Sequence, residues 1–127
     1  MHFFQDPPEL GNQYDEDRLL RAVLRRAIPA ADLPAIEGDL RPFGDRVLRD
    51  ISEFAADANA HAPELVPYDP WGHRIDQINV SHGWRELERI SAEEGLVAIG
   101  YERRHGAASR LHQFAKLYLF SPSSAVY

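Results

Sequence analysis

A chain of 127 residues, 44% hydrophobic and 27% charged, can bury one modest core, and this composition excludes wholesale disorder. Having no cysteine, it cannot form disulfides, thiolate nucleophiles or thiolate metal sites. The net charge of −6, of which −5 lies in residues 1–60, is a poor match to the phosphate neutralisation behind nucleic-acid affinity.

The start, "MHFFQDPPEL", lacks the basic and apolar regions of a secretory signal, and no apolar run has membrane-spanning length. An intracellular, cytoplasmic location is the expectation. Residues 1–14, with Pro7, Pro8, Gly11 and Asn12, read as an extended arm. Phe3, Phe4, Leu10 and Tyr14 would anchor it on a larger body, and residues 15–127 form the helical domain.

The segment "YDEDRLLRAVLRRAIP" predicts a helix with Asp15 as N-cap and a stop before Pro29. Its buried stripe would be Leu19, Leu20, Val23, Leu24 and Ala27, with Arg18, Arg21, Arg25 and Arg26 outside. Asp32 then caps a helix with Pro34 in its first turn. Ile36, Leu40, Phe43, Val47, Ile51, Phe54 and Ala58 recur at helical spacing, and Pro42 and Gly44 predict a kink or break between them.

After Pro63, two short apolar runs, Leu65–Tyr68 and Arg74–Val80, flank "DPWG", which suits a type I turn closing a hairpin. Gly72 should need a positive φ. Because a lone hairpin is marginal in water, this one should lean on the helices, with Leu65 and Ile75 beside Trp84. Ile75 and Ile78 are three apart and would face opposite ways in a regular strand, so the second strand should end near Gln77. Ser81 caps the next helix, with Trp84, Leu87 and Ile90 inward until Gly95. In "ASRLHQFAKLYLFSPSS", Leu111, Phe114, Ala115, Tyr118 and Leu119 share one side, with Leu117 and Phe120 adjoining. So apolar a helix should be buried on several sides, with Phe114 in the core.

Chemistry is sparse. The six histidines make no i, i+4 ligand pair, and no P-loop, nucleophile elbow or dinucleotide fingerprint occurs. The one basic spot, Arg103, Arg104 and Arg110, suits a solvated helix end or an ion-paired surface better than a phosphate site. The residues assign no catalytic, cofactor-binding or metal-ligating position, and the carboxylates read as helix-face and first-turn residues.

Two quoted stretches go further. "PELVPYDPWGHRIDQINVSHGWREL", with the upstream "FFQDPPELGNQY", resembles the N-terminal region of acyl-CoA dehydrogenase family flavoproteins of the AidB-like branch. The resemblance implies a mainly α domain of acyl-CoA dehydrogenase N-terminal type, with one short β-hairpin near residues 64–78. In that family a middle β-domain follows where this chain ends, then a C-terminal helical bundle. FAD sits between those two, and α,β-dehydrogenation of an acyl-CoA uses a carboxylate from the last domain. The implied partners are acyl-CoA, the remaining domains of the same protein and further copies in a homotetramer; membrane and nucleic acid are not expected. By position in the family, Leu117, Phe120, Ser121 and Ser124 would line the acyl pocket or pack on the missing domains. A self-contained helical interaction module and a part in a DNA-damage response are the rival readings.

Overall fold

The computed structural model describes residues 4–6 and 8–121. In chain order these form α1 (Gln13–Glu16), α2 (Arg18–Ala27), α3 (Leu33–Arg46), a π-helical turn (Val47–Ile51), α4 (Ser52–Ala60), β1 (Glu64–Tyr68), β2 (Arg74–Asn79), α5 (His82–Glu93), α6 (Ala98–Glu102) and α7 (Ala108–Phe120). The mainly helical fold with one antiparallel hairpin agrees with the expected class. No helix among the described residues is long and apolar enough to cross a membrane.

The arm meets the body at Asn12, two residues before its expected end at Tyr14. Its side chain caps α1 by accepting from the Tyr14 N–H at 2.9 Å. Its amide donates to the Arg41 carbonyl (3.0 Å) and to Asp45 (2.8 Å). Tyr14 is fully buried and donates its hydroxyl to Glu37 at 2.8 Å. Burial, with the Glu37 hydrogen bond and charge, pushes its phenol up to about 12. Phe4 and Leu10 are exposed and do not anchor the arm, and Phe3 lies outside the described residues. The N-cap of α2 is Asp17, which accepts from the Leu20 N–H at 2.8 Å, and not Asp15, which pairs with Arg41. With the helix starting at Arg18, Leu24 becomes the buried centre of α2, and Leu19 and Val23 turn outward.

The expected break at Pro42 and Gly44 does not occur, because α3 runs through both to Arg46. Pro42 faces solvent. A side chain at Gly44 would strike Asn12, so the glycine admits the arm rather than breaking the helix. The irregularity comes one turn later, where Ser52 donates both its N–H and its hydroxyl (2.6 Å) to the carbonyl of Val47, five residues back. The core runs along this rod through Ile36, Leu40, Phe43, Val47, Ile51, Ala55 and Ala58. Leu87 and Ile90 of α5, with Leu96, Ala115, Leu119 and Phe120, complete it. Ser81 caps α5 as expected, accepting from the Trp84 N–H at 3.2 Å, and Trp84 packs half-buried against the core. Asp57 accepts the Gly83 N–H at 2.6 Å, clasping α5 to α4.

The hairpin corrects the sequence reading most. Asp69 organises its turn by accepting from the N–H groups of Trp71 (2.9 Å) and His73 (2.8 Å), and Gly72 takes φ +84°. The strand pairs are Glu64 with Asn79, Leu65 with Ile78, Val66 with Gln77 and Tyr68 with Arg74. Pro67 is therefore opposed by two residues, Ile75 and Asp76, and Asp76 adopts φ +46° in this bulge. The extra residue lets β2 continue to Asn79 instead of ending near Gln77. It also brings Ile75 and Ile78 to the same face as Leu65. That face does not rest on the helices beside Trp84: Leu65 is 59% exposed and Ile78 66%, and Val66 alone in the two strands is even half-buried.

Candidate functional site

Helix α7 has two unlike sides, and its inner side adds to the expected Ala115, Leu119 and Phe120 a set of polar residues that was not expected. Ser109, His112, Gln113 and Lys116 are all buried there. Lys116, 2% exposed, places its ammonium 2.9 Å from each oxygen of Asp39 on α3 and 2.9 Å from Glu94 after α5. Arg46 pairs with the other Glu94 oxygen and with Glu93. His112 donates from Nε2 to Asp39 at 2.6 Å. Burial works to raise the Asp39 carboxyl, but the hydrogen bonds from His112 and Lys116 outweigh it and hold it below its ordinary value. Gln113 donates to the carbonyls of Leu96 (2.9 Å) and Val97 (3.2 Å), tying α7 to the segment before α6.

The network borders a cleft of about 410 Å³ between α3, α5, α6 and α7. Glu102, Arg104, His105 and Ser109 complete its polar rim. His105 reaches Asp32 at 3.1 Å, which explains why Asp32 stands at the start of α3 without capping it. Arg104 pairs with Glu102 at 2.8 Å, so one of the three arginines singled out takes the ion-paired alternative. No group of three or more His, Asp or Glu side chains suited to a metal ion occurs among the described residues.

The outer side of α7 is apolar and open. Phe114, expected in the core, is 58% exposed, and Tyr118 faces solvent while donating its hydroxyl to Asp17 at 2.7 Å. That hydrogen bond raises the Tyr118 phenol. The Leu20 N–H first, and Tyr118 second, lower the Asp17 carboxyl. The candidate pocket residues fall at different depths. Phe120 is fully enclosed and stacks on Phe43, with centroids 6.4 Å apart. Leu117 is half-buried against the core, and exposed Ser121 turns its hydroxyl back to the Leu117 carbonyl at 2.7 Å. Ser124 lies outside the described residues. Together they give α7 an outward stripe of Phe114, Leu117, Tyr118 and Ser121.

Sequence reasoning missed the inner network, although one signal was present. Of the 14 basic residues, Lys116 is the single lysine, and it is the one enclosed by two carboxylates. Its partners lie 77 and 22 positions away, beyond the reach of any local pattern.

Residues 5–125 match the adaptive response protein AidB N-terminal domain. Acyl-CoA dehydrogenase family member 11 of Caenorhabditis elegans is 39% identical over 125 residues, a match covering 98% of this chain. The chain spans about a fifth of that relative's length. Among solved structures, Bd2924 in its apo form superposes with a TM-score of 0.93 at 46% identity, over 99% of this chain and 25% of that one. Caenorhabditis elegans ACDH-11 in complex with C11-CoA superposes with a TM-score of 0.90 at 40% identity, over 96% of this chain and 21% of that one. The chain belongs to the AidB N-terminal domain family, the N-terminal domain of acyl-CoA dehydrogenase family proteins.

Proposed function

We propose that this domain serves an FAD-dependent acyl-CoA dehydrogenase and that the outward stripe of α7 forms one wall of its acyl pocket. The supporting observation is a pairing of two facts. A relative of the same fold, 40% identical, was solved with C11-CoA, and α7 here leaves an apolar stripe uncovered. Leu117 would touch the acyl chain, and Phe120 would support it from behind through Phe43. Ser121 would follow toward one end of the stripe. Because the Ser121 hydroxyl is taken up by a backbone carbonyl, this stretch presents an apolar surface that excludes water rather than a polar group to the acyl chain.

The described residues do not themselves fit a flavin dinucleotide. The enclosed cations Lys116 and Arg46 are already neutralised by Asp39, Glu93 and Glu94, and the cleft beside them adds Glu102. FAD and the catalytic carboxylate belong, in this proposal, to the rest of the full-length protein.

The test uses the full-length protein and saturated acyl-CoA ligands of increasing chain length. Leu117→Trp adds bulk to the wall and should weaken the longer ligands by about tenfold while sparing the shortest, since each buried methylene contributes about 0.8 kcal/mol. An equal effect on all lengths, or none, would remove α7 from the pocket.

A further inference from the structure

Helices α3 and α7 are joined by two histidine–carboxylate pairs. His105, in the turn before α7, bonds Asp32 through Nδ1 at 3.1 Å, and His112 bonds Asp39 through Nε2 at 2.6 Å. The two carboxylates stand seven residues apart in the sequence, and so do the two histidines. A carboxylate oxygen only accepts, so the bonded ring nitrogens carry the hydrogens. In the neutral ring the second nitrogen, Nε2 of His105 and Nδ1 of His112, is then an acceptor. His112 is 7% exposed, and its Nδ1 is enclosed with no hydrogen-bond partner. Buried polar atoms are paired as a rule, so an orphaned acceptor on a residue that lines an open cleft points to a donor from outside the chain.

The cleft that both histidines line suits a cationic donor. Four carboxylates, Asp39, Glu93, Glu94 and Glu102, line it against two cations, Lys116 and Arg104. With the groups that ion-pair to this lining, Asp32, Asp50, Glu86, Arg46 and Arg89, seven carboxylates meet four cations, a net charge of −3 with the histidines neutral. Lys116 is committed to Asp39 and Glu94, and Arg104 to Glu102, so the enclosed cations leave the His112 acceptor unanswered. The apolar part of the lining comes from Ala35, Ala92, Ala98 and Ile99. An anion would meet the carboxylates, and a bare metal ion finds no group of three ligands among the described residues. The volume of about 410 Å³ is that of a small-molecule site.

We propose that this cleft binds a small primary ammonium ion carrying an apolar body. One N–H of the ligand donates to His112 Nδ1 and the others to Glu94 and Glu102, while its alkyl part lies along Ala98 and Ile99. The His105 ring stands edge-on to His112, with centroids 6.0 Å apart, and makes one hydrogen bond among the described residues, to Asp32. Held by that single bond, it turns aside to admit the ammonium. Asp39 is a positioning residue: by taking the hydrogen at Nε2 it keeps the lone pair of His112 on Nδ1. The ligand supplies the donor that the chain lacks, and its charge answers the local surplus of carboxylates. None of this depends on the acyl-pocket reading, which uses the outer side of α7.

The experiment titrates the full-length protein with butylammonium chloride in an isothermal calorimeter, against sodium chloride at matched ionic strength. 1-Butanol and sodium butyrate are the neutral and anionic probes of the same length. Butylammonium should bind saturably with a dissociation constant of about 1 mM or tighter, and the other two at least tenfold more weakly. Two variants locate the site. His112→Phe keeps a ring and removes the acceptor, but it also loses the bond to Asp39. Ala98→Phe fills the cleft from an exposed position, so its folding is secure if His112→Phe proves poorly folded. Each should weaken butylammonium by about tenfold or more. A parent with no saturable binding would overturn the proposal, as would butanol or butyrate binding as tightly as butylammonium. So would an Ala98→Phe protein that keeps the affinity of the parent.

Discussion

Replacing Lys116 with Met tests the polar interior of α7 directly. Methionine keeps the length and apolar stem of the side chain and removes only the ammonium held by Asp39 and Glu94. Breaking a buried pair by deleting one partner costs about 3–5 kcal/mol when the other charge is left alone. Here the carboxylates are not left alone: Asp39 keeps His112 and is 37% exposed, and Glu94 keeps Arg46 and is 20% exposed. Water and the remaining partners therefore screen part of the loss, and about 2–3 kcal/mol is expected at neutral pH. That is a large share of the stability of a domain this size. The pH dependence identifies the partner. The Asp39 carboxyl is held below its ordinary value, so its contribution is fully present above about pH 4 and disappears as pH falls through the folded-state value. Urea melts of parent and Lys116→Met should therefore differ by 2–3 kcal/mol at pH 7, about, and converge below pH 4. A variant within about 0.5 kcal/mol of the parent at pH 7, or a gap that stays constant into acid, would refute the assignment.

Two aromatic residues on opposite sides of α7 should respond differently to truncation. Phe120→Ala empties a fully buried site against Phe43 and should cost about 3–5 kcal/mol in a urea melt, whereas Phe114→Ala should cost less than about 1. At the hairpin turn, where Gly72 holds φ +84°, Gly72→Val should abolish the amide exchange protection of β1 and β2. Gly72→Asn should retain it, because asparagine tolerates the left-handed region.

Local chemistry was legible in the sequence wherever the signal and its partner lie within a turn of each other. Ser81 before α5, the positive φ of Gly72 and the turn at Gly95 are of this kind. Reading Asp15 as the cap of α2 puts Asp17 in the first turn, whereas Asn12 caps a separate short helix before it and leaves Asp17 to cap α2. The apolar spacing of α2 also takes in Leu19 and Val23, which lie on the surface. On α7, apolar side chains occur all around the helix, so periodicity could not select the face. The face was selected by Asp39 and Glu94, which demand Lys116 and His112 inward and leave Phe114 outside. In β2, a count of three between Ile75 and Ile78 was read correctly as incompatible with a regular strand. The bulge at Asp76 is the alternative to stopping the strand, and nothing in the spacing alone distinguishes the two. The candidate acyl-wall residues came from resemblance, and the residues themselves carry no chemical mark of that role.

The placement of the two tryptophans has an optical consequence. Trp71 stands in solvent at the tip of the hairpin, and Trp84 packs half-buried against the helical core. An indole in water emits at longer wavelength and is open to collisional quenchers, whereas an enclosed one is shielded from both effects. The emission of this chain therefore contains one component from the hairpin and one from the body. Whatever settles on the hairpin, from a neighbouring domain to a second subunit, will shift and shield the Trp71 component while leaving that of Trp84 in place.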